Sequence, residues 1–464
     1  MASVRRTLST ILILIIVAAI AAGGVIGYGY YQRWSMGRQF TAVRQLVTDK
    51  KFQEAETQLA ALEGRAQPGQ SWLADWVDLR LQALEGINDQ ESAAQWAAKA
   101  LNPDKAWVQQ GDDGWVRAHL ILGRRAVNQE QLDAAREHFN ALASLAPDQF
   151  GHTEGQLGLG WVDLATPGKV QEGRDRLAAL LDTLRNDHAM RADVEAALGR
   201  ANLFLLMSPE PHEGDEIYAI QKGDSMDRLR RKYKVSADLL MRVNRITNPQ
   251  ALSIGHRIKI PKLELSILVN KSDNTLTLYN HGKFFKKYDV RTGQYEYMTP
   301  PGEYTIQRKV VDPPWTDPKT GARLGPGDPN NQLGCRWMEI SGSIGIHEAI
   351  DPNTIGTYSS NGCVGLVKDD VIELYDLVSV GTPVKIIGAR GATGAALSAT
   401  DLTAPARRGT GASAPPAGMQ QAPAAAPAAP QPPAMTPAGR SSIPVPARPE
   451  RSRSRNHAQE GTRR

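Results

Sequence analysis

One stretch of the chain is dense in reactive and turn-forming residues: Ile344 to Leu366, IGIHEAIDPNTIGTYSSNGCVGL. Its single histidine, His347, and its single cysteine, Cys363, stand 16 residues apart. A thiol attacks as the thiolate, and a free cysteine keeps its proton up to a pKa of about 8.5. An imidazole brought against it takes that proton and holds the thiolate as an ion pair. Cys363 follows Ser360, Asn361 and Gly362. Glycine beside a nucleophile lets the backbone turn sharply and aim N–H groups at a substrate carbonyl. Nucleophile, base and oxyanion donors together describe acyl transfer. The inert reading of the same residues is a small buried cysteine and a polar histidine with no chemical role, so the flanking sequence has to decide.

The flanking sequence supplies nine pieces in order: Ile267–Asn270, Asn274–Tyr279, Val290–Gly293, Thr299–Ile306, Pro313–Trp315, Asn331–Gly334, Gly345–His347, Ser360–Cys363 and Gly381–Val384. In this order they resemble an L,D-transpeptidase catalytic domain of the YkuD type, over about Leu265 to Ile387. The resemblance implies a mainly-β fold with Cys363 as nucleophile and His347 as general acid/base. Ser360 and Gly362 would shape the nucleophile loop, and the Gly345 carbonyl would orient the imidazole. Three positions depart from the family pattern. Gly365 stands where Arg or Asn is usual, Asn361 where His, Lys or Arg is common, and Glu348 where Gly or Ser often follows the His. Nucleophile and base survive these changes, while the substrate contacts and the imidazole's orientation fall outside the pattern.

A second ordered pattern lies just upstream, over residues 216–262. It runs from Tyr218-Ala219-Ile220 through Lys222 to Met226, Leu229, Asn244 and Asn248-Pro249 to Ile258-Lys259-Ile260-Pro261. These residues read as strand, helix, helix, strand, and in this order they resemble a LysM domain. The resemblance implies binding of N-acetylglucosamine-containing glycan between two loops, here Gly223, Asp224, Ser225 and Met226 on one side and Asn248 and Pro249 on the other. Many of these residues also have a purely structural reading, as turn glycines and core apolar residues.

The remaining elements determine where such chemistry would take place. A length of 464 residues is a prior for two to four domains. Residues 1–36 hold Arg5-Arg6 and then an apolar run to Tyr31, with Tyr28, Tyr30, Tyr31 and Trp34 at its far end. About 20 apolar residues span a bilayer. The basic flank and the aromatic end orient the run as a signal anchor with the body outside the cytoplasmic membrane. A cleaved signal peptide is the alternative, and it exports the body equally. Residues 37–207 carry apolar and alanine positions at helical spacing. Aligning Ala55, Ala94, Ala135 and Gly173 gives steps of 39, 41 and 38 residues. A period near 40 predicts stacked, TPR-like helix pairs. Such a stack serves either as a docking surface for an envelope protein or as a spacer.

Residues 208–215 form a Pro- and acid-rich linker, the catalytic domain occupies 264–389, and an Ala/Pro/Arg-rich tail, expected to be disordered, fills 390–464. Beyond Arg390 the tail holds nine arginines against Asp401, Glu450 and Glu460, a surplus of +6 that exceeds the whole net charge of +5. The body is therefore not basic, which argues against nucleic-acid binding. Two cysteines in an exported chain make no disulfide framework. Cys335 reads either as a spectator or as a disulfide partner that would silence Cys363. No metal or organic cofactor is implied.

The expected fold class is multidomain: a transmembrane helix, an all-α TPR-like region, a small βααβ unit and a mainly-β catalytic domain with a disordered tail. The expected function is peptidoglycan L,D-transpeptidation. The resemblance implies a 3–3 crosslink between stem peptides through a Cys363 thioester, with the LysM unit tethering the glycan strand and a role in cell-wall organisation. Water, a free D-amino acid or a protein lysine as acceptor remains open, as does an inactive glycan-binding scaffold.

Overall fold

The computed structural model describes residues 36–389 except residues 37, 67–69, 106, 213, 251, 319 and 343. Apart from Met36, the expected anchor lies outside the described residues, as does the expected tail. Among the described residues no helix is long and apolar enough to cross a membrane. The described chain divides into two compact units, one ending at Lys169 and the other beginning at Val170.

The first unit is helical: α1 (38–48), α2 (Phe52–Ala60), α3 (Leu73–Gly86), α4 (Gln90–Ala100), α5 (Asp113–Asn128), α6 (Leu132–Ala143) and α7 (His152–Ala165). The aligned Ala55, Ala94 and Ala135 are all buried, one each on α2, α4 and α6. Small residues at these positions let neighbouring helices approach closely. Arg80 is buried beneath Trp96, 4.0 Å from its ring centroid, and pairs with Glu56 and Glu63.

The second unit opens with α8 (Val170–Thr183) and α9 (Arg191–Met207). Next come β1 (Glu216–Ala219), α10 (Met226–Tyr233), α11 (Ala237–Val243) and β2 (Arg257–Ile260). β1 pairs antiparallel with β2, which gives the strand–helix–helix–strand order read from the sequence.

The rest of this unit is mainly β. Its first strands are β3 (Leu265–Asn270), β4 (Thr275–Asn280), β5 (Lys283–Asp289), β6 (Thr292–Gly293), β7 (Gly302–Thr305) and β8 (Arg308–Val311). Then follow β9 (Trp315–Thr316), β10 (Arg323–Leu324), β11 (Arg336–Ser341), β12 (Ile344–Glu348), β13 (Tyr358–Ser360) and β14 (Val364–Leu366). The helix α12 (Lys368–Leu377) and strand β15 (Pro383–Ile387) close it. A five-stranded sheet has the order β5-β4-β3-β15-β7, and a four-stranded sheet the order β14-β12-β11-β8. One core joins them through Ile267, Leu276 and Ile386 on one side and Met338, Ile346 and Val364 on the other.

Two stretches differ from what their own residues suggest. The alternation Thr275-Leu276-Thr277-Leu278 reads by itself as a half-buried strand, yet Thr275 and Thr277 are buried as well, at 7% and 9% exposure. Part of the outer side of this sheet is covered by α9: the Asn202 amide donates to the Phe285 carbonyl of β5 at 2.9 Å. The stretch Pro313–Asn331, whose Pro, Gly, Asp and Asn residues read as one long loop, folds back on itself through the β9–β10 pair.

Candidate active site

Two neighbouring strands bring the reactive pair together. β12 and β14 run parallel, with Ile346 opposite Val364 and His347 opposite Gly365. One residue earlier in the same register, Gly345 comes level with Cys363. Side chains alternate between faces along a strand, so Gly345, His347, Cys363 and Gly365 share one face. The four form a checkerboard in which each reactive side chain stands opposite a glycine. The glycines leave room for it.

A Cβ on Gly345 would lie 2.5 Å from the Trp337 ring and 2.8 Å from the Met338 carbonyl oxygen. Trp337 faces His347 across the β11–β12 pair, with ring centroids 5.9 Å apart. On the far side Arg291 pairs antiparallel with Gly365, exchanging both backbone hydrogen bonds.

His347 is held by its neighbour. Its Nδ1 lies 2.7 Å from the Glu348 carbonyl oxygen, and the ring is buried at 5% exposure. A carbonyl can accept but not donate, so Nδ1 carries the proton and Nε2 is left as the basic nitrogen. The sequence placed the orienting carbonyl at Gly345; the structure places it at Glu348. The Gly345 backbone amide instead hydrogen-bonds the Cys363 thiol. The carbonyl of a residue within a sheet strand points along the ladder. The end of β12 frees the Glu348 carbonyl to turn towards the ring.

The nucleophile loop is pinned by two hydroxyls. Ser360 Oγ donates to the Cys363 carbonyl at 2.6 Å and accepts the Gly362 amide at 3.2 Å. Gly362 has φ +120°, a conformation that favours glycine. Of the N–H groups beside the nucleophile, the Gly362 amide is engaged by the Ser360 hydroxyl.

The second hydroxyl was not singled out from the sequence. Thr299 Oγ1 accepts the Gly293 amide at 3.0 Å and donates to the Gly362 carbonyl at 2.7 Å. Thr299 is fully buried and has φ +53°, which is costly for a β-branched residue. In the sequence it read as the start of a Thr-Pro-Pro-Gly turn, and nothing in that turn indicates a contact 63 residues away.

Burial dominates the electrostatics. It pushes the His347 imidazole down to about 4, assisted by the Arg291 cation. It also pushes the Cys363 thiol above its ordinary value, against the opposing pull of the Gly345 amide and Arg291. The resting pair is therefore neutral thiol and neutral imidazole, not the ion pair expected from sequence. Desolvation penalises both charged forms at once.

Comparisons with known proteins identify two domain families in the chain. The family model described as the L,D-transpeptidase catalytic domain matches residues 264–386, and the LysM domain model matches 218–261. A putative L,D-transpeptidase YkuD of Bacillus subtilis is 30% identical over 177 residues, covering 36% of this chain and 97% of the relative. This chain belongs to the L,D-transpeptidase family. A second relative, the putative L,D-transpeptidase YqjB of B. subtilis, is 31% identical over 126 residues, 26% of this chain and 69% of that protein. An L,D-transpeptidase structure from Mycobacterium smegmatis aligns at 22% identity with TM-score 0.24, spanning 29% of this chain and 64% of that one.

The other residues singled out in this L,D-transpeptidase fall into place as follows. Both cysteines are free thiols. Burial and the neighbouring Glu348 push Cys335 up to about 12, so it stays protonated and unreactive. In the LysM unit, Asp224 Oδ2 accepts from the Tyr218 hydroxyl and the Gln221 amide, both at 2.8 Å. Ser225 caps α10 by accepting the Arg228 amide at 3.2 Å. Met226 is buried at 4% exposure, which removes its side chain from any glycan contact. It opens α10 on the side that faces the core. Gly223 is exposed at the turn before α10, Asn248 Oδ1 accepts the Gln250 amide at 2.9 Å, and Pro249 is exposed.

Proposed function

We propose that this peptidoglycan L,D-transpeptidase acts through a Cys363 thioester and forms 3–3 crosslinks. The supporting observation is the placement of Cys363 and His347 on one face of adjacent strands, with the Gly345 amide on the thiol. The donor is a stem peptide ending in a diamino acid followed by D-Ala. As it binds, His347 Nε2 takes the thiol proton, and the thiolate attacks the carbonyl carbon of the diamino acid. The C–N bond to D-Ala then breaks, and the imidazolium returns its proton to the departing amine, leaving a thioester. A side-chain amine of a second stem attacks the thioester, the C–S bond breaks, and the thiol is regenerated.

The neutral resting pair supports this order of events. Both groups wait uncharged, and the proton moves only when substrate excludes water. The LysM unit tethers the glycan and raises the local stem concentration. The apolar run behind Arg5-Arg6 anchors the body outside the cytoplasmic membrane.

Intact-mass analysis with a tetrapeptide stem tests the reading. An adduct equal to the stem less D-Ala is expected on the wild type and absent from Cys363→Ala. Product analysis with a second stem should show the 3–3 dimer; free tripeptide alone would move the acceptor to water. A folded, reduced wild type that takes no adduct sinks the thioester.

A further inference from the structure

We propose that Arg291 is the anion receptor of this site: it reads a carboxylate presented beside Cys363, which for a stem-peptide donor is the terminal D-Ala carboxylate. The identity of that donor rests on the acyl-transfer reading above.

The register carries the argument. Trp337, His347, Gly365 and Arg291 form one row across the sheet, each opposite the next. Directly opposed residues project to the same side, so the Arg291 side chain emerges on the face that carries Cys363 and His347. It lies over Gly365: a Cβ there would fall 2.6 Å from Arg291 Nε and 2.8 Å from its Cγ. The departure from the family pattern at Gly365 is therefore the space in which a different arginine, from a different part of the sheet, is seated.

The guanidinium is not saturated there. Its Nε is buried and has no hydrogen-bond partner, and Nη1 lies 3.4 Å from Thr354 Oγ1, a long contact. Leaving a buried donor without a partner is unfavourable. An incoming carboxylate would satisfy it, and a guanidinium matches a carboxylate through two parallel donors. The charged and titratable groups acting on this part of the site are Cys363, His347 and the exposed Asp351.

The donor presents the matching group. Its terminal carboxylate lies one residue past the scissile carbonyl, so a cation beside the nucleophile meets it when that carbonyl reaches the thiol. A stem carrying a further residue would place its carboxylate out of register, which makes Arg291 a specificity-determining residue for donor length.

Two measurements on the full-length protein test this. The first compares alkylation of Cys363 by iodoacetate and iodoacetamide, which share a leaving group and differ in charge. The iodoacetate-to-iodoacetamide rate ratio should drop at least about fivefold in Arg291→Gln and be largely kept in Arg291→Lys, as a charge-assisted contact predicts. The second compares a tetrapeptide donor with its C-terminal amide. The wild type should prefer the free acid by about tenfold or more in kcat/KM, mainly through KM, and Arg291→Gln should lose that preference.

The double variant Arg291→Gly with Gly365→Arg returns the charge from the opposite strand and should recover the alkylation ratio. An unchanged ratio in a folded Arg291→Gln, or a wild type indifferent to amidation, overturns the proposal. The free-acid preference of the wild type stands as a test even if Arg291→Gln does not fold. Should no stem peptide acylate the wild type, the acyl-transfer reading fails, while the alkylation ratio still decides whether Arg291 is an anion receptor.

Discussion

At the scale of residues, the decisive property is that the two reactive groups wait uncharged. Burial raises the thiol and lowers the imidazole to about 4. Iodoacetamide labelling of Cys363 in the free enzyme should therefore rise about tenfold per pH unit through neutrality, as the thiolate fraction does. It should not level off before pH 8.5. A plateau between pH 5 and 7 would reveal a preformed ion pair and contradict the structure. His347 follows the sign of a depressed base: its folded value lies below the ordinary 6.5, so its stabilising effect is complete above that value. The effect is lost as pH falls from 6.5 towards 4, because the unfolded chain takes up the proton first.

Thr299 supplies a second residue-scale test. Thr299→Val leaves the Gly293 amide and the Gly362 carbonyl without their hydroxyl, at about 1–3 kcal/mol for each buried orphan. Thermal melting should shift down, and acylation by a tetrapeptide should slow more than 10-fold as the Cys363 loop loosens. Thr299→Ser keeps the hydroxyl and should retain most of both. Equal acylation rates for the Val variant and the wild type would show that the loop is held by other contacts.

At the scale of elements, glycines decide what can stand opposite what. Gly345→Ala places a methyl against Trp337 and the Met338 carbonyl oxygen. Overpacking of this kind costs about 1–3 kcal/mol and should displace the amide that contacts the thiol. Melting temperature and labelling rate should fall together, with partial recovery on adding Trp337→Phe. Loss of stability with unchanged labelling would detach the thiol from β12.

The same scale shows what the sequence could carry. Cys363, His347 and the glycine before the nucleophile stood out by type, and the nine ordered pieces around them weighed acyl transfer against an inert pair. The βααβ order was legible because its turns and apolar positions are local. The Glu348 carbonyl was not, since which carbonyl meets an imidazole depends on where a strand ends. Arg291 was not, because its meaning comes from a cross-strand register that places it over a glycine 74 residues away. Polarity alternation in β4 misled for a related reason: covering by α9 is a tertiary event that a strand's own residues do not announce.

At the scale of the molecule, the region from Val170 onward is bound too closely for its LysM part to be only a tether. Lys259 on β2 is buried, and its ammonium is surrounded by the carbonyls of Leu205, Leu206, Ser208 and Glu210 and by the Asp215 carboxylate at 3.1 Å. Four of these five groups are the carbonyls at and just past the end of α9, which have no helical partner of their own. α9 also hydrogen-bonds β5 through Asn202, and Arg242 on α11 pairs with Asp376 on α12. Helix, LysM unit and catalytic sheets are thus joined in a closed circuit. One apolar core includes Leu229, Leu239 and Ile258 of the LysM unit together with Ile267 and Leu374 of the catalytic part.

Cooperativity follows from that shared core. A fragment covering 170–389 should melt in one transition, reported equally by circular dichroism and by exposure of Cys335 to a thiol reagent. A fragment covering 264–389 exposes the faces that α9 and α11 cover, and it should melt lower and aggregate. Lys259→Met leaves Asp215 and four carbonyls without their cation, at about 3 kcal/mol or more. Although Lys259 lies in the glycan-binding unit, its loss should lower the melting of the catalytic half by several degrees. Two separate transitions in the 170–389 fragment, with the Cys335 transition unmoved by Lys259→Met, would make the LysM unit an independent tether after all.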